Sequence, residues 1–491
     1  MFNKCKKQKR KQKRKKILEE KINGVLNEKL SKIIIRLALP VMLSSLLQTF
    51  YNLTDTFWVG RLGSYAIASL TLSFPIIFLI IYLSAGIGIG GSILMAHSAG
   101  KNFNAKKKQN HWKKELELII SQTFMLLFLI LFLCSTFGFL FTERIIGLFT
   151  TEPIVFHNAV IYLRTMFIGF IIMFPYYVFE ASLRALGDTK TPLKFVLLSV
   201  LLNVFLDPLL IFGVWPFPRM GVLGAAIATV FSMGTVSFIA LYHLLKGTYG
   251  LKIRFDLMKP RFRTIIEILK LGIPLFLDNG SISLGNFLLL TIISSFGTTA
   301  IAAFGIVSRL FSLLMLPTNG ISVAVSTIVA QNFGAGNSKR IFDTIKEAFK
   351  TGFKMMFVLI LMVFVFSSSI VGAFTNNREV ILNATIFLRT LAPLLFFILI
   401  RNIFLGFFRG IKKAIISMII NFAHNFLFKL GFVYLLAVIF GLRALGVWVG
   451  YSITGFFSCI FAYIIYLFYK KKIPELKGKK IEFEELEIKI E

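Results

Sequence analysis

Long apolar runs constrain this chain more than any other feature. Residues 118–141, 158–183, 351–374 and 448–469 are predominantly hydrocarbon over twenty or more positions. A helix needs about 20 such residues to cross the hydrocarbon core of a bilayer. Composition agrees: 56% of the residues are hydrophobic and 16% charged, with a mean hydropathy of +0.78. Soluble domains carry roughly 25% charged residues. The expected fold class is an all-α membrane protein.

Splitting the apolar runs at Gly, Pro and charge clusters predicts twelve spans, at 33–60, 66–98, 116–141, 157–184, 192–213, 220–245, 265–294, 300–332, 348–374, 380–408, 414–439 and 446–470. Loop charge gives the orientation, because cytoplasmic loops are enriched in Lys and Arg. "KNFNAKKKQNHWKKE" at 101–115 is basic, as are the loops carrying Lys190 and Lys194, Lys252 to Arg263, Lys339 and Arg340, and Arg409 to Lys413. The loops between them, such as "SSFGTT", are short and nearly neutral. The expectation is a multi-pass cell-membrane protein with both termini in the cytoplasm.

The formal net charge of +32 owes much to the first sixteen residues, "MFNKCKKQKRKQKRKK", with ten Lys or Arg. Inside a membrane protein this reads as a cytoplasmic tail touching anionic lipid, not as a nucleic-acid arm. No short apolar core with a small-residue cleavage site follows directly, so a signal peptide is not expected. Cys5, Cys134 and Cys459 are scattered, which predicts neither a disulfide framework nor a metal site.

The chain also resembles itself. "LALP" at 37–40 matches "LGIP" at 271–274, an offset of 234 that also carries Gly63 onto Gly297 and 92–103 onto 326–337. Later, Gly224 meets Gly446 at an offset of 222. The expected organisation is a basic tail (1–32), a first lobe (33–250), a second lobe (251–470) and a charged tail (471–491). Six spans per lobe is an even number, so both insert in one orientation, related by a pseudo-twofold axis along the membrane normal. Paired repeats of this kind point to transport. No G-x-x-x-x-G-K-[ST] occurs, so the chain is not expected to use ATP itself, nor to be an enzyme. The five His are dispersed; His111 reads as solvated and His424 as packed within a helix.

Few acids fall inside the spans: Asp55, Glu180, Asp207 and Asp278. A carboxylate at such depth costs about 2.5–3.5 kcal/mol on insertion scales. Asp55 lies five residues before Gly60 and Asp207 six before Gly213, so both sit roughly 8–9 Å inside the outer boundary. Asn203 and Asp207, four apart, share a helix face. Tyr162 and Thr229 fall at comparable depth on inward-running spans. The expected cation or proton site is Asp55, Asn203, Asp207, Thr229 and Tyr162, with Glu180 and Asp278 as secondary candidates. Neighbouring buried carboxylates can take a proton, and the same oxygens suit Na⁺. By the offsets, Asp55 corresponds to Leu289 and Asp207 to Lys429, so the second half has lost the acids and holds a cation instead.

"LALPVMLSSLLQTFYNLTDTFWVGRLG" (37–63), "LRALGDTKTP" (183–192) and "NVFLDP" (203–208) resemble the multidrug and toxic compound extrusion (MATE) family, in its DNA-damage-inducible, prokaryotic and archaeal branch. The resemblance covers about 33–470. It implies twelve helices in two lobes around a cleft, and antiport: a proton or Na⁺ enters as an amphipathic, often cationic, compound leaves. It implies the family's first-helix acid at Asp55, its Asn-x-x-x-Asp at Asn203 and Asp207, and its Tyr and Thr at Tyr162 and Thr229. No cofactor is expected, no metal beyond Na⁺, small amphipathic molecules and lipids as partners, and a monomer. The rival reading is a flippase for lipid or lipid-linked sugar, its phosphate held by Arg401, Arg409 and Lys429. An ion channel would want its acids repeated in both halves, and they are not.

Overall fold

Lipid offers no hydrogen bonds to a backbone, so each crossing segment must satisfy its own amides as a helix. The computed structural model describes residues 16–103 and 111–472; the basic run 1–15, the loop 104–110 and the tail 473–491 lie outside the described residues. Among the described residues there is no strand. In chain order the helices are α1 (16–27), α2 (Leu30–Gly60), α3 (Ser64–Phe103), α4 (His111–Gly147), α5 (Pro153–Ala185), α6 (Lys190–Phe212), α7 (Val222–Lys246), α8 (Phe262–Ser294), α9 (Thr298–Leu314), α10 (Leu316–Gly334), α11 (Ser338–Gly372), α12 (Arg378–Leu391), α13 (Leu395–Gly410), α14 (Ala414–Phe422), α15 (Gly431–Tyr434) and α16 (Arg443–Lys472). They make twelve spans long and apolar enough to cross a membrane.

Three spans are interrupted. The eighth breaks between α9 and α10 just before Pro317, and the tenth between α12 and α13 at the 3₁₀ turn Ala392–Leu394, which contains Pro393. Proline has no N–H to donate and its ring crowds the preceding turn. The eleventh span, expected as plain α-helix, is wound with i→i+5 bonds over Ala423–Leu430 and again over Leu435–Ile439. Such turns cluster at functional sites.

The 234-residue repeat is built as a physical twofold. A Cβ on Gly100 would lie 1.8 Å from the Gln331 carbonyl oxygen, and one on Gly334 would lie 2.0 Å from that of His97. Under the offset, Gly100 becomes Gly334 and His97 becomes Gln331, so each contact is the other's mate. The same holds deeper in the bundle. Gly86 packs against the backbone of Gly272 and Phe276, and Gly320 against Ala38 and Met42. Those pairs again differ by 234. Self-complementary contacts of this kind are what a twofold axis produces. Small residues let the backbones approach where lipid supplies no hydrophobic drive. All four glycines lie between mid-depth and the end of the bundle that carries α1 and the α16 terminus.

Residues 16–27 correct the reading of 1–32 as a tail. Leu18, Ile22, Val25 and Leu26 recur at helical spacing and are buried. Leu18, Ile22 and Leu26 join the apolar cluster built mainly from the first six spans, and Val25 joins the cluster of the last six. Polar contacts follow the same division. Lys21 Nζ pairs with Asp188 at 2.7 Å in the α5–α6 turn, while Arg340 of α11 donates to the carbonyls of Val25 and Glu28. α1 is therefore a clasp across the two halves. The basic residues around it obscured this short amphipathic stripe in the sequence.

The clasp has a pH signature. Burial alone would push the Asp188 carboxyl up, but the Lys21 ammonium and two bonds from Thr191 outweigh burial and hold it below the usual carboxylate range. A depressed carboxyl stabilises the fold above its unfolded value, about pH 4, and loses that contribution as pH falls through the native value. Lys21→Met is expected to cost about 1 kcal/mol at pH 7. Thermal unfolding of detergent-purified protein should show that deficit shrinking below about pH 4; a pH-independent deficit would mean that the ion pair is not its source.

Candidate functional site

Asp55 on α2 and Asp207 on α6 meet inside the first half. Asp55 is 6% exposed; Asn203 and Asp207 are fully buried. The two carboxyl groups lie within hydrogen-bonding reach of each other. Thr229 Oγ1 on α7 donates to Asp55 Oδ2 at 3.3 Å, and Asn203 Nδ2 donates to Asp207 Oδ1 at 3.0 Å. The 203/207 spacing brings the amide onto the carboxylate because residues four apart stack on one helix face. Pro208 follows directly, so the Val204 carbonyl loses its usual helical donor.

Three oxygens in this cluster have no donor: Asp55 Oδ1, Asp207 Oδ2 and Asn203 Oδ1. All are acceptors. Two ionised carboxylates in contact repel, and neither can donate to the other unless a proton sits between them. The arrangement therefore calls for one positive charge, either as a shared proton or as a hard cation ligated by these oxygens. Among the described residues there is no group of three or more His, Cys, Asp or Glu suited to a metal ion.

A second polar chain fixes α2 against α7. The Tyr51 hydroxyl and Ser232 Oγ lie 2.9 Å apart, and Ser232 Oγ donates to the Thr229 carbonyl at 3.1 Å. Tyr51 lies four residues before Asp55, one turn along the same face. Ser232 escaped the sequence reading because a lone Ser in an apolar helix carries no motif; its position three residues after Thr229 was the available signal.

Asp55, Thr229 and Tyr162 line a cavity of about 430 Å³ between the halves, and Asp207 is not among its lining residues. Most of the lining comes from the first six spans, with Ser326, Thr327 and Arg409 across from it. Phe74, Phe78, Tyr82 and Phe170 give it an aromatic surface, and Met166 and Met173 add adaptable thioethers.

The secondary candidates have other duties. Glu180 lines the cavity but pairs with Arg184 at 2.5 Å, one helical turn on. Asp278 on α8 binds Arg409 Nη2 at 2.7 Å through Oδ2 and accepts from Asn421 Nδ2 through Oδ1. Both its oxygens are satisfied, whereas Asp55 Oδ1 and Asp207 Oδ2 have no donor. Arg409 is 131 residues away along the chain, which hid the pairing from sequence.

The MatE family model matches residues 40–209 and again 274–435, its two copies starting 234 residues apart at Pro40 and Pro274. The chain is 30% identical over 445 residues, 88% of its length and 92% of the relative's, to the "Probable multidrug resistance protein YoeA" of Bacillus subtilis (strain 168). It is 28% identical over 423 residues, 85% of its length and 88% of the relative's, to the "Probable multidrug resistance protein NorM" of Thermotoga maritima. A solved structure described as the outward-facing conformation of a multidrug resistance MATE family transporter superposes with a TM-score of 0.84 at 26% identity, covering 93% of this chain and 98% of that one.

The carboxyl pair makes a chemical prediction. A hydrophobic carbodiimide attacks a protonated carboxyl in an apolar setting, so it should label Asp55 or Asp207 at neutral pH. Peptide mass spectrometry should show the label suppressed by added Na⁺ if the cluster ligates that ion. Absence of label at either residue down to pH 5 would remove the shared proton.

Proposed function

The chain belongs to the MatE family, whose members are membrane transporters, and from that premise we propose that it is a secondary multidrug efflux antiporter of the cell membrane, driven by H⁺ or Na⁺. The observation that carries this is the contact of two buried carboxyl groups, each with one oxygen that has no donor, beside a third such oxygen on Asn203. A site built that way changes its interactions when one small cation arrives. An ion can drive a conformational change only through different affinities for the two states. The cavity suits an amphipathic, often cationic cargo, since aromatic faces and Met side chains accept varied shapes and Asp55 supplies negative charge.

The basic loops support an orientation with both termini in the cytoplasm. With that orientation the glycine contacts that join the halves lie toward the cytoplasm, which supports a state closed on that side. Two lobes, 33–250 and 251–470, then rock about those contacts. Facing outward, Asp55 and Asp207 take up the ion; neutralised, they rearrange their hydrogen bonds, α2 bends and the cargo leaves. The lobes turn inward, release the ion and reload. A flippase would need Arg401, Arg409 and Lys429 to hold phosphate. Arg409 is spent on Asp278, which leaves the other two.

Two substitutions and one gradient experiment test this. Asp55→Asn and Asp207→Asn should each lower efflux of a cationic dye at least tenfold while elution on size exclusion is unchanged. In proteoliposomes, dye export should follow an imposed pH gradient, an imposed Na⁺ gradient, or both. Export at wild-type rate by either variant, or export that ignores both gradients, would sink the antiport reading.

A further inference from the structure

The second half contains a copy of the cation site with its charge reversed. Under the 222-residue offset Asn203 becomes Asn425, Asp207 becomes Lys429 and Thr229 becomes Tyr451. The copy is built, not merely aligned. Where Asn203 donates to Asp207, Lys429 Nζ donates to Asn425 Oδ1 at 3.0 Å. Where α7 offers Thr229 to Asp55, α16 offers the Tyr451 ring, with the Lys429 ammonium 5.9 Å from its centroid. On α8, Asn286 accepts from Lys429 at 2.9 Å. Its counterpart under the 234-residue offset, Asn52, lines the central cavity. The i→i+5 winding of the eleventh span carries both Asn425 and Lys429.

Arg401 on α13 adds a second cation beside it. It is 8% exposed, it gives one Nη2 bond to Asn402 at 3.2 Å, and its Nε and Nη1 have no acceptor. Arg401 and Lys429 act on each other electrostatically, and His424 lies within the field of both. The groups acting on Arg401 from the packed elements are Asp278, Arg409, Tyr451 and Cys459. Asp278 is the carboxylate among them, and both its oxygens are committed to Arg409 and Asn421. The second half therefore buries two basic side chains with no carboxylate bonded to either: Lys429 is held by the amide oxygens of Asn286 and Asn425, and Arg401 keeps two unpaired donors. Buried charge without a partner is expensive. The first half has orphaned acceptors on Asp55, Asn203 and Asp207; the second has orphaned donors on Arg401.

The geometry points to a buried anion site formed by Arg401 and Lys429, taking a carboxylate or phosphate group. That group is either a free inorganic anion or the acidic end of a transported molecule. The site is separate from the carboxyl pair, so it stands or falls independently of ion-coupled export.

Binding to purified full-length protein in detergent tests it, with three probes: inorganic phosphate, the carboxylated dye fluorescein and the cationic dye ethidium. Arg401→Gln and Lys429→Gln should each weaken binding of phosphate or fluorescein at least tenfold and leave ethidium within twofold. Arg401→Lys, which keeps the charge, should retain anion binding within about threefold and guards against a folding defect in Arg401→Gln. Asp207→Asn should leave anion binding intact even where it stops export. Phosphate competing with fluorescein assigns a free-anion site; fluorescein binding that phosphate does not displace assigns the acidic end of a cargo. No binding of either anionic probe, equal binding in wild type and both Gln variants, or a parallel loss of ethidium binding would overturn the assignment.

Discussion

Two carboxyl groups held in contact inside an apolar bundle cannot both keep a full negative charge. Burial leaves the repulsion weakly screened and strips each ionised group of much of its hydration. The remedy is one positive charge, and its arrival or departure changes which hydrogen bonds the pair can make. α2 links this chemistry to the rest of the molecule. It carries Asp55 near one end, and nearer the other it lays Ala38 and Met42 against Gly320 of the second half. Tyr51 and Ser232 bind the same helix to α7 between those points. A change at Asp55 is thus felt on an element that also forms part of the interface between the halves.

That interface is suited to movement. Glycines at 86, 100, 320 and 334 bring backbones together without interlocking side chains. Directional contacts are added sparingly, as where Gln331 Nε2 donates to the Ala185 carbonyl at 2.7 Å. α1 then spans both halves at the same end through Lys21–Asp188 and the Arg340 bonds. Separating the halves at that end has to break or stretch the clasp. Its strength therefore contributes to how firmly the two halves are held together at that end.

Much of this was legible in the sequence, because the membrane reduces structure to a few strong signals. Span number followed from the length of the apolar runs, and the repeat from glycine spacing that the twofold contacts impose. Asp55, Asn203 and Asp207 stood out because charge in a span is costly. Three things were hidden. The role of Asp278 depends on Arg409, a partner fixed only by tertiary packing. The i→i+5 winding around Lys429 leaves no pattern in side-chain periodicity. α1 is too short and too surrounded by lysine for its stripe of Leu18, Ile22, Val25 and Leu26 to register against the charge. In each case the deciding interaction was long-range or was masked by a louder local signal.

The reversal of charge between the halves bears on how a duplicated scaffold divides its labour. An Asn four residues ahead of an ionisable group is kept in both copies, with Asp207 in one and Lys429 in the other. The amide serves either sign, since its nitrogen donates to a carboxylate and its oxygen accepts from an ammonium. One geometric unit can therefore present opposite polarity without any change in helix packing. Two identical acid sites would load two cations and make each half respond alike. Opposite sites differ in what they can attract, since a carboxyl group and an amine favour ligands of opposite sign. A frame that is symmetric in its backbone contacts is thus asymmetric in the chemistry its two halves present.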